Sequence, residues 1–275
     1  HVNREADGAN VQRRLRNSQA MCMVMSGMLS QIPSRREPVM TPDELLLSVR
    51  AQMKAYADPH MAQGQRAYFK EPIDPWGVRG IHIKKIEQSV YGEVKHWPGQ
   101  ERNRLCTDLL KGGRLEEGVL AIHLYRRFRS QCAAREFKLF ERWIDRYVQT
   151  WAHCDGIASW LLAACIENQP DLSGKLPDWT RSRNRWKRRA AAVALLQEAK
   201  QGRHTQEIFR IVDLLSEDKD DMVQKGVGWL LKEAYPLKPR ETLRYLRFWS
   251  GPRIVLRYAM EKMSPEHRAE LGLKR

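Results

Sequence analysis

The chain has 275 residues and a formal net charge of +15, from 48 lysines and arginines against 33 aspartates and glutamates. Hydrophobic residues make up 42% of it and nine are tryptophans, which excludes a fully disordered chain and allows one large domain or two small ones. The longest apolar runs fall short of the roughly 18 residues that a membrane-spanning helix needs, which excludes a membrane protein.

The first forty residues are predicted to be an N-terminal extension (1–40) carrying one helix. Its methionine-rich stretch is interpreted as core packing, because methionine fills irregular gaps. The first sixteen residues are highly charged and lack the apolar stretch of a secretion signal. The five cysteines show no metal-binding spacing, so we expect reduced thiols, no metal and a cytoplasmic protein. They are Cys22, Cys106, Cys132, Cys154 and Cys165.

Residues 41–275 are predicted to be helical throughout, since period-two alternation typical of strands is nearly absent. Thr41, Pro42 and Glu44 form a capping-box pattern that opens a helix running to about Tyr56. The further predicted helices are 79–96, 115–131, 134–151, 156–168, 183–201, 205–216, 219–234, 239–249 and 253–262. The clearest stops are Gly112-Gly113, Pro170 and Pro236.

A repeat is indicated by the spacing of three marked residues. Trp151 and Arg189 lie 38 residues apart, and Arg189 and Trp229 lie 40 apart. This interval suits two-helix HEAT-like repeats, which stack into a curved α-solenoid with one concave face, here predicted to be basic. A compact helical bundle could show the same interval.

A tryptophan and an aspartate, Trp151 and Asp155, lie at the end of the predicted helix 134–151 and just after it. Trp151 continues an apolar stripe with 3-4-3-4 spacing, so core packing is its default interpretation. Asp155 follows four residues later, about one helical turn on, where a carboxylate and an indole could meet. The structural alternative for Asp155 is an N-cap of a helix starting near Gly156. A Cys154–His153 nucleophile pair is disfavoured, because adjacent residues on one turn point in different directions.

The most basic segment, 181–189, holds six positive charges in nine residues at a predicted helix start. Cations there oppose the helix dipole. A solvated face is the ordinary interpretation of such a run. Phosphate binding is favoured here because the run lies in a chain already at +15.

In the predicted helix 219–234, one face carries the apolar stripe and the opposite face carries Trp229. The stripe consists of Val223, Val227, Leu230, Leu231 and Ala234. Trp229 shares its face with Met222, Lys225 and Gly226, so its indole either packs on a neighbouring repeat or lines a binding surface next to a glycine. Gly226-Val227-Gly228 lacks the third glycine and the preceding strand of a dinucleotide fingerprint, so no nucleotide cofactor is expected.

Taken together, these segments resemble the AlkD-like DNA glycosylases of the DNA alkylation repair family, which are built from HEAT-like repeats. The resemblance runs from about residue 45 to 262. It is carried by 67–70 (Ala-Tyr-Phe-Lys) with 76–79 (Trp-Gly-Val-Arg), 151–155 (Trp-Ala-His-Cys-Asp), 182–191 (Ser-Arg-Asn-Arg-Trp-Lys-Arg-Arg-Ala-Ala) and 223–233 (Val-Gln-Lys-Gly-Val-Gly-Trp-Leu-Leu-Lys-Glu).

The resemblance implies a catalytic set of Asp155, Trp151 and Trp229. It implies that Arg189 holds a phosphate beside the lesion and that Tyr68 is an aromatic partner. With the basic run, the expected DNA-binding set is Arg189, Tyr68, Arg185, Arg188, Lys187 and Lys225. The family often has aspartate where this chain has Ala152, so a supporting role of that carboxylate is missing.

The implied activity is hydrolytic release of cationic alkylated purines, such as 3-methyladenine and 7-methylguanine, from double-stranded DNA without flipping the base. It needs no metal or other cofactor, and we expect a nucleoid-associated monomer that initiates base excision repair. The main alternative is a non-catalytic helical-repeat module that binds bent or branched nucleic acid. The presence of Asp155 disfavours this alternative. A protein-binding solenoid is the third hypothesis.

Overall fold

The computed structural model describes residues 40–272, so the predicted extension (1–40), with its helix and methionine-rich stretch, lies outside the described residues except for Met40. Residues 40–272 contain helices and no strand, which confirms the all-α prediction. The α-helices are α1 (Pro42–Ala55), α2 (Pro59–Tyr68), α3 (Gly80–Val94), α4 (Gly99–Lys111), α5 (Leu115–Arg126), α6 (Ala134–Arg146), α7 (Trp151–Gly156), α8 (Ala163–Asn168), α9 (Leu176–Trp179), α10 (Arg185–Val193), α11 (Leu196–Lys200), α12 (Thr205–Leu214), α13 (Asp221–Ala234), α14 (Pro239–Arg247), α15 (Arg253–Ala259) and α16 (Pro265–Glu270). A π-helical turn (Ile157–Leu162) joins α7 to α8, and 3₁₀ turns lie at Arg129–Gln131, Pro170–Lys175 and Met260–Lys262. None of the described helices is both long and apolar enough to cross a membrane.

The start of α1 follows directly from its sequence. The backbone N–H of Glu44 donates to the Thr41 hydroxyl over 3.3 Å, and the Thr41 N–H donates to the Glu44 carboxylate over 2.8 Å. Pro42 occupies the first helical position, where its missing N–H costs nothing. The predicted capping box is confirmed.

The predicted helix 134–151 is wrong at its C-terminal end. It ends at Arg146, and Trp151 is the first residue of the next helix, α7. Thr150 is the N-cap of α7, because its hydroxyl accepts a hydrogen bond from the His153 N–H. The apolar spacing did not show the break, since Tyr147, the C-cap of α6, and Trp151, the first residue of α7, both pack against the core.

The helices are arranged as two-helix HEAT-like repeats. The second helices of successive repeats pack side by side in the order α5, α7, α10, α13 and α15, which we call the site row. Contacts between repeats recur at similar sequence intervals: the His153 ring lies 2.8 Å from the Leu115 carbonyl oxygen, 38 residues away, and the Asn184 amide donates to the Ile144 carbonyl, 40 residues away. Trp151, Arg189 and Trp229 therefore occupy three neighbouring helices of one row.

The buried core runs continuously from Leu45 to Met263 through all of these repeats. On α13, the five residues of the predicted apolar stripe are all buried, which confirms that interpretation. Helices α2, α4, α9 and α16 were not predicted, and the predicted helix 183–201 is divided into α10 and α11.

Candidate functional site

A cavity of about 320 Å³ lies along α7 and the π-helical turn, bordered by α5, α11 and α13. Its lining includes Trp151, Asp155 and Trp229, the three predicted catalytic residues. These side chains come from α7 and α13, which are separated in the site row by α10. The fold thus brings the three residues to one cavity.

Asp155 lies within α7 and is not an N-cap, so that structural alternative is wrong. Its side chain is 16% exposed and borders the cavity, so it is accessible from one side only. Its backbone carbonyl accepts a hydrogen bond from the Ser159 hydroxyl over 2.7 Å, at the start of the π-helical turn. π-Helical turns frequently accompany functional sites, because they change the direction in which neighbouring side chains project.

The Asp155 carboxylate forms a two-point ion pair with Arg189 of α10. The Arg189 Nε donates to Oδ1 and Nη2 donates to Oδ2, each over 2.8 Å. The Arg189 side chain is only 6% exposed. Burial alone would lower the pKa of Arg189, but the hydrogen bonds and charge of Asp155 raise it above its ordinary value. Because a carboxylate has about four acceptor positions, the pair leaves Asp155 able to accept further hydrogen bonds.

Arg189 does not present its guanidinium to solvent as the phosphate-contact prediction assumed. Besides Asp155, it donates through Nη1 to the Met222 carbonyl of α13. Three of its roughly five N–H groups are therefore engaged within the protein. Gly226 makes room for it, since a Cβ there would lie 3.3 Å from the Arg189 Cγ. Gly226 thus permits the close approach of Arg189, whereas the sequence suggested the close approach of a ligand to Trp229.

The two tryptophans differ in their surroundings. The ring of Phe69 stacks on Trp151 at 5.2 Å between centroids, and Tyr68 meets the same indole edge-on at 6.1 Å. Tyr68 itself is 71% exposed. Trp229 donates from its indole N–H to Glu233 over 3.2 Å and packs partly against the core while lining the cavity. Both indoles therefore pack partly against the core and line the cavity, while their role in binding DNA stays a prediction.

The basic run 181–189 is largely neutralised inside the fold. Its cations are paired as follows: Arg185 with Glu71 and Asp220, Lys187 with Glu141 and Asp145, Arg188 with Asp218, and Arg189 with Asp155. Lys225, on α13, pairs with Asp221 over 3.0 Å. Carboxylates of other segments therefore offset the cost of placing these cations at a helix start. A role of these residues in DNA binding stays a prediction.

His153 and Cys154 point into the protein core. The Cys154 thiol lies 3.3 Å from the Trp186 carbonyl, and burial raises its pKa strongly. Burial also lowers the pKa of His153. A buried thiol with a raised pKa cannot supply a thiolate nucleophile. Within residues 40–272, no three His, Cys, Asp or Glu side chains converge in a metal-binding group.

Three cavity residues were missed by the sequence analysis. His123 of α5, Trp160 of the π-helical turn and Lys200 of α11 all line the cavity. Trp160 follows Trp151 by nine residues, and its ring centroid lies 5.2 Å from that of His123. The Arg126 guanidinium lies over the Trp160 ring, 4.6 Å from its centroid. The sequence could have indicated Trp160 only if one helix had been predicted to continue from Trp151 past Gly156.

A larger cavity, of about 780 Å³, lies between α12 and α14. It is lined by the aromatic rings of Phe209, Tyr245 and Trp249, and by none of the predicted site residues. The cavity beside Asp155 is therefore the better candidate site, since it alone of these two combines a carboxylate paired with arginine and three indoles.

Comparison with known proteins gives one family. The family model described as DNA alkylation repair enzyme matches residues 49–263. Among solved structures, the chain is similar to a predicted DNA alkylation repair enzyme from Enterococcus faecalis, with a TM-score of 0.70, 15% identity, and coverage of 76% of this chain and 97% of that one. It is also similar to AlkD2 from Streptococcus mutans, with a TM-score of 0.55, 16% identity, and coverage of 79% and 98%. At these identities the structures support the fold alone. No curated protein matches the sequence.

Proposed function

Since the chain belongs to the family of DNA alkylation repair enzymes, we propose that it is a DNA glycosylase for cationic alkylated purines, such as 3-methyladenine and 7-methylguanine, in double-stranded DNA. The observation that carries the proposal is the cavity in which the Asp155 carboxylate, paired with Arg189, faces the same space as Trp151 and Trp229.

A single carboxylate suits this reaction because of the charge on the leaving group. Alkylation at N3 or N7 makes the purine cationic, so it departs as a neutral base and needs no general acid. As the N-glycosidic bond breaks, the deoxyribose becomes an oxocarbenium-like cation. Asp155 stabilises that charge and orients the attacking water, while the indole faces of Trp151 and Trp229 lie against the cationic sugar and base.

Arg189 acts on the reaction through Asp155. Its two hydrogen bonds hold the carboxylate plane in one orientation. Two acceptor positions of Asp155 stay available for water and for the sugar. In this arrangement the base stays in the duplex and the sugar approaches the cavity, as the resemblance implies.

The expected contribution of Asp155 follows from its distance to the developing charge. A carboxylate about 4 Å from a unit positive charge contributes about 4 kcal/mol at an effective dielectric constant near 20. This corresponds to about a thousandfold in rate. Asp155→Asn removes that attraction and leaves the shape of the side chain nearly unchanged.

The test is incubation of the purified protein with methylated duplex DNA and identification of the released bases by mass. We expect release of both methylated purines by the wild type, release at least about a hundredfold slower by Asp155→Asn, and duplex binding by that variant that is as tight or tighter. Asp145→Asn is the matched control, because Asp145 lies on α6 and pairs with Lys187 outside the cavity. Unchanged release by Asp155→Asn contradicts the mechanism. Duplex binding without any release by the wild type points to the non-catalytic nucleic-acid module.

A further inference from the structure

Two cations beside the Asp155 cavity differ from the four paired cations of the basic run in having no internal counter-charge. Within residues 40–272, neither Arg126 nor Lys200 forms an ion pair, and both are exposed. The neighbouring carboxylates already have other partners: Glu87 binds Arg127 over 2.7 Å, and Glu198 binds Arg203 over 2.7 Å. An anion can therefore bind Arg126 and Lys200 without breaking an ion pair of the protein.

Arg126 is held in an orientation that suits phosphate. Its guanidinium lies over the face of Trp160, which leaves the N–H groups at the edge of its plane free for a ligand. The same stacking covers one face of the indole. Trp160 is therefore better placed to support Arg126 than to stack on a nucleobase.

This cluster lies close to the candidate catalytic carboxylate. Trp160 and Lys200 line the same cavity as Asp155, and Trp160 follows Asp155 by five residues. Five residues correspond to at most about 7.5 Å along a helix axis at the α-helical rise, which is no more than about two base-pair steps of a duplex at roughly 3.4 Å each. A duplex with its lesion against Asp155 would thus bring a nearby phosphate to these cations.

We propose that Arg126, supported by Trp160, and Lys200 form a phosphate-binding subsite for the DNA backbone about two nucleotides from the lesion. The proposal rests on the proposed function, because that function places duplex DNA over the cavity. The subsite fixes the register of the duplex and takes no part in bond cleavage.

The test is the salt dependence of binding to an undamaged duplex, measured by fluorescence anisotropy with wild type, Arg126→Gln and Lys200→Gln. Each lost phosphate contact is expected to lower the slope of log affinity against log salt concentration by about 0.9, and to weaken binding about eightfold at 0.1 M salt. Arg247→Gln and Lys232→Gln are matched controls, since Arg247 is paired with Glu270 and Lys232 with Glu261, and both cations lie outside the cavity lining. Each control changes the net charge by the same amount.

A smaller slope for the two subsite variants with an unchanged slope for the controls supports the subsite. Equal changes in all four variants overturn it, because they would report net charge alone. Absence of duplex binding by the wild type overturns it as well. The binding test uses undamaged duplex and measures no base release. A protein that releases no base can therefore still confirm or contradict the subsite, so the two proposals are tested independently.

Discussion

The ion pair between Asp155 and Arg189 allows a quantitative test that does not depend on the reaction. Arg189→Met removes the guanidinium and keeps most of the side-chain volume. Breaking a buried pair by removing one partner costs about 3–5 kcal/mol. The Asp155 side chain is 16% exposed and borders a cavity, so water can solvate it after the change. We therefore expect the lower end of this range, a loss of about 3 kcal/mol in the free energy of unfolding.

The measurement is a double-mutant cycle of Arg189→Met, Asp155→Asn and the double variant, by urea unfolding at neutral pH. Two charge-assisted hydrogen bonds of 2.8 Å predict a coupling energy of about 2 kcal/mol between the two residues. A coupling below about 0.5 kcal/mol would refute the argument that Arg189 positions Asp155. If Arg189 instead contacts phosphate, its replacement weakens duplex binding and leaves the coupling near zero.

Two further changes test the surroundings of this pair. Gly226→Ala places a methyl group 3.3 Å from the Arg189 Cγ and should destabilise the fold by about 1 kcal/mol in urea unfolding, whereas Gly64→Ala, on α2 with no atom within 4 Å of the added Cβ, should not destabilise it. The pKa of His153 is lowered from 6.5 by burial, so the unfolded state binds its proton more tightly and stability should fall as the pH drops below about 6.5, by at most about 1.4 kcal/mol per pH unit. His153→Gln should reduce that slope; an equal slope in both proteins would assign it to other groups.

Features that depend on neighbours within one helical turn were predictable from the sequence. The capping box of Thr41 and Glu44 fixes the start of α1, and the buried stripe of α13 follows from apolar residues three and four apart. The repeat was predictable from intervals of 38 and 40 residues because each repeat meets its neighbour in the same way. These signals need no knowledge of the tertiary structure.

Helix boundaries inside apolar stretches were not predictable in the same way. The 3-4-3-4 spacing that reaches Trp151 is compatible with one long helix and with two helices that bury the same side chains. The hydroxyl of Thr150 decides between them, since it caps α7. Helix α4 was missed because its buried residues, Leu105, Cys106, Leu109 and Leu110, lie among many charged ones.

The ion-pair partners of the basic residues cannot be predicted from a local sequence pattern, because they lie far away in the sequence. Arg185 binds Glu71 across 114 residues of sequence, and Arg189 binds Asp155 across 34. Composition and the helix dipole give only the charge of the run itself, so the pairing of its cations with distant carboxylates was not predictable from them. The catalytic set itself came from the resemblance, and the structure brings its three residues to one cavity.

Charge density along the chain and charge available to a ligand are therefore different quantities. Four of the six cations in the run 181–189 bind internal carboxylates, and an anion would have to displace those partners at a cost in stability. Isolated cations such as Arg126 and Lys200 carry no such cost. Under the proposed subsite, the net charge of +15 attracts a duplex over distances of about a Debye length, and the unpaired cations Arg126 and Lys200 fix where its backbone is held.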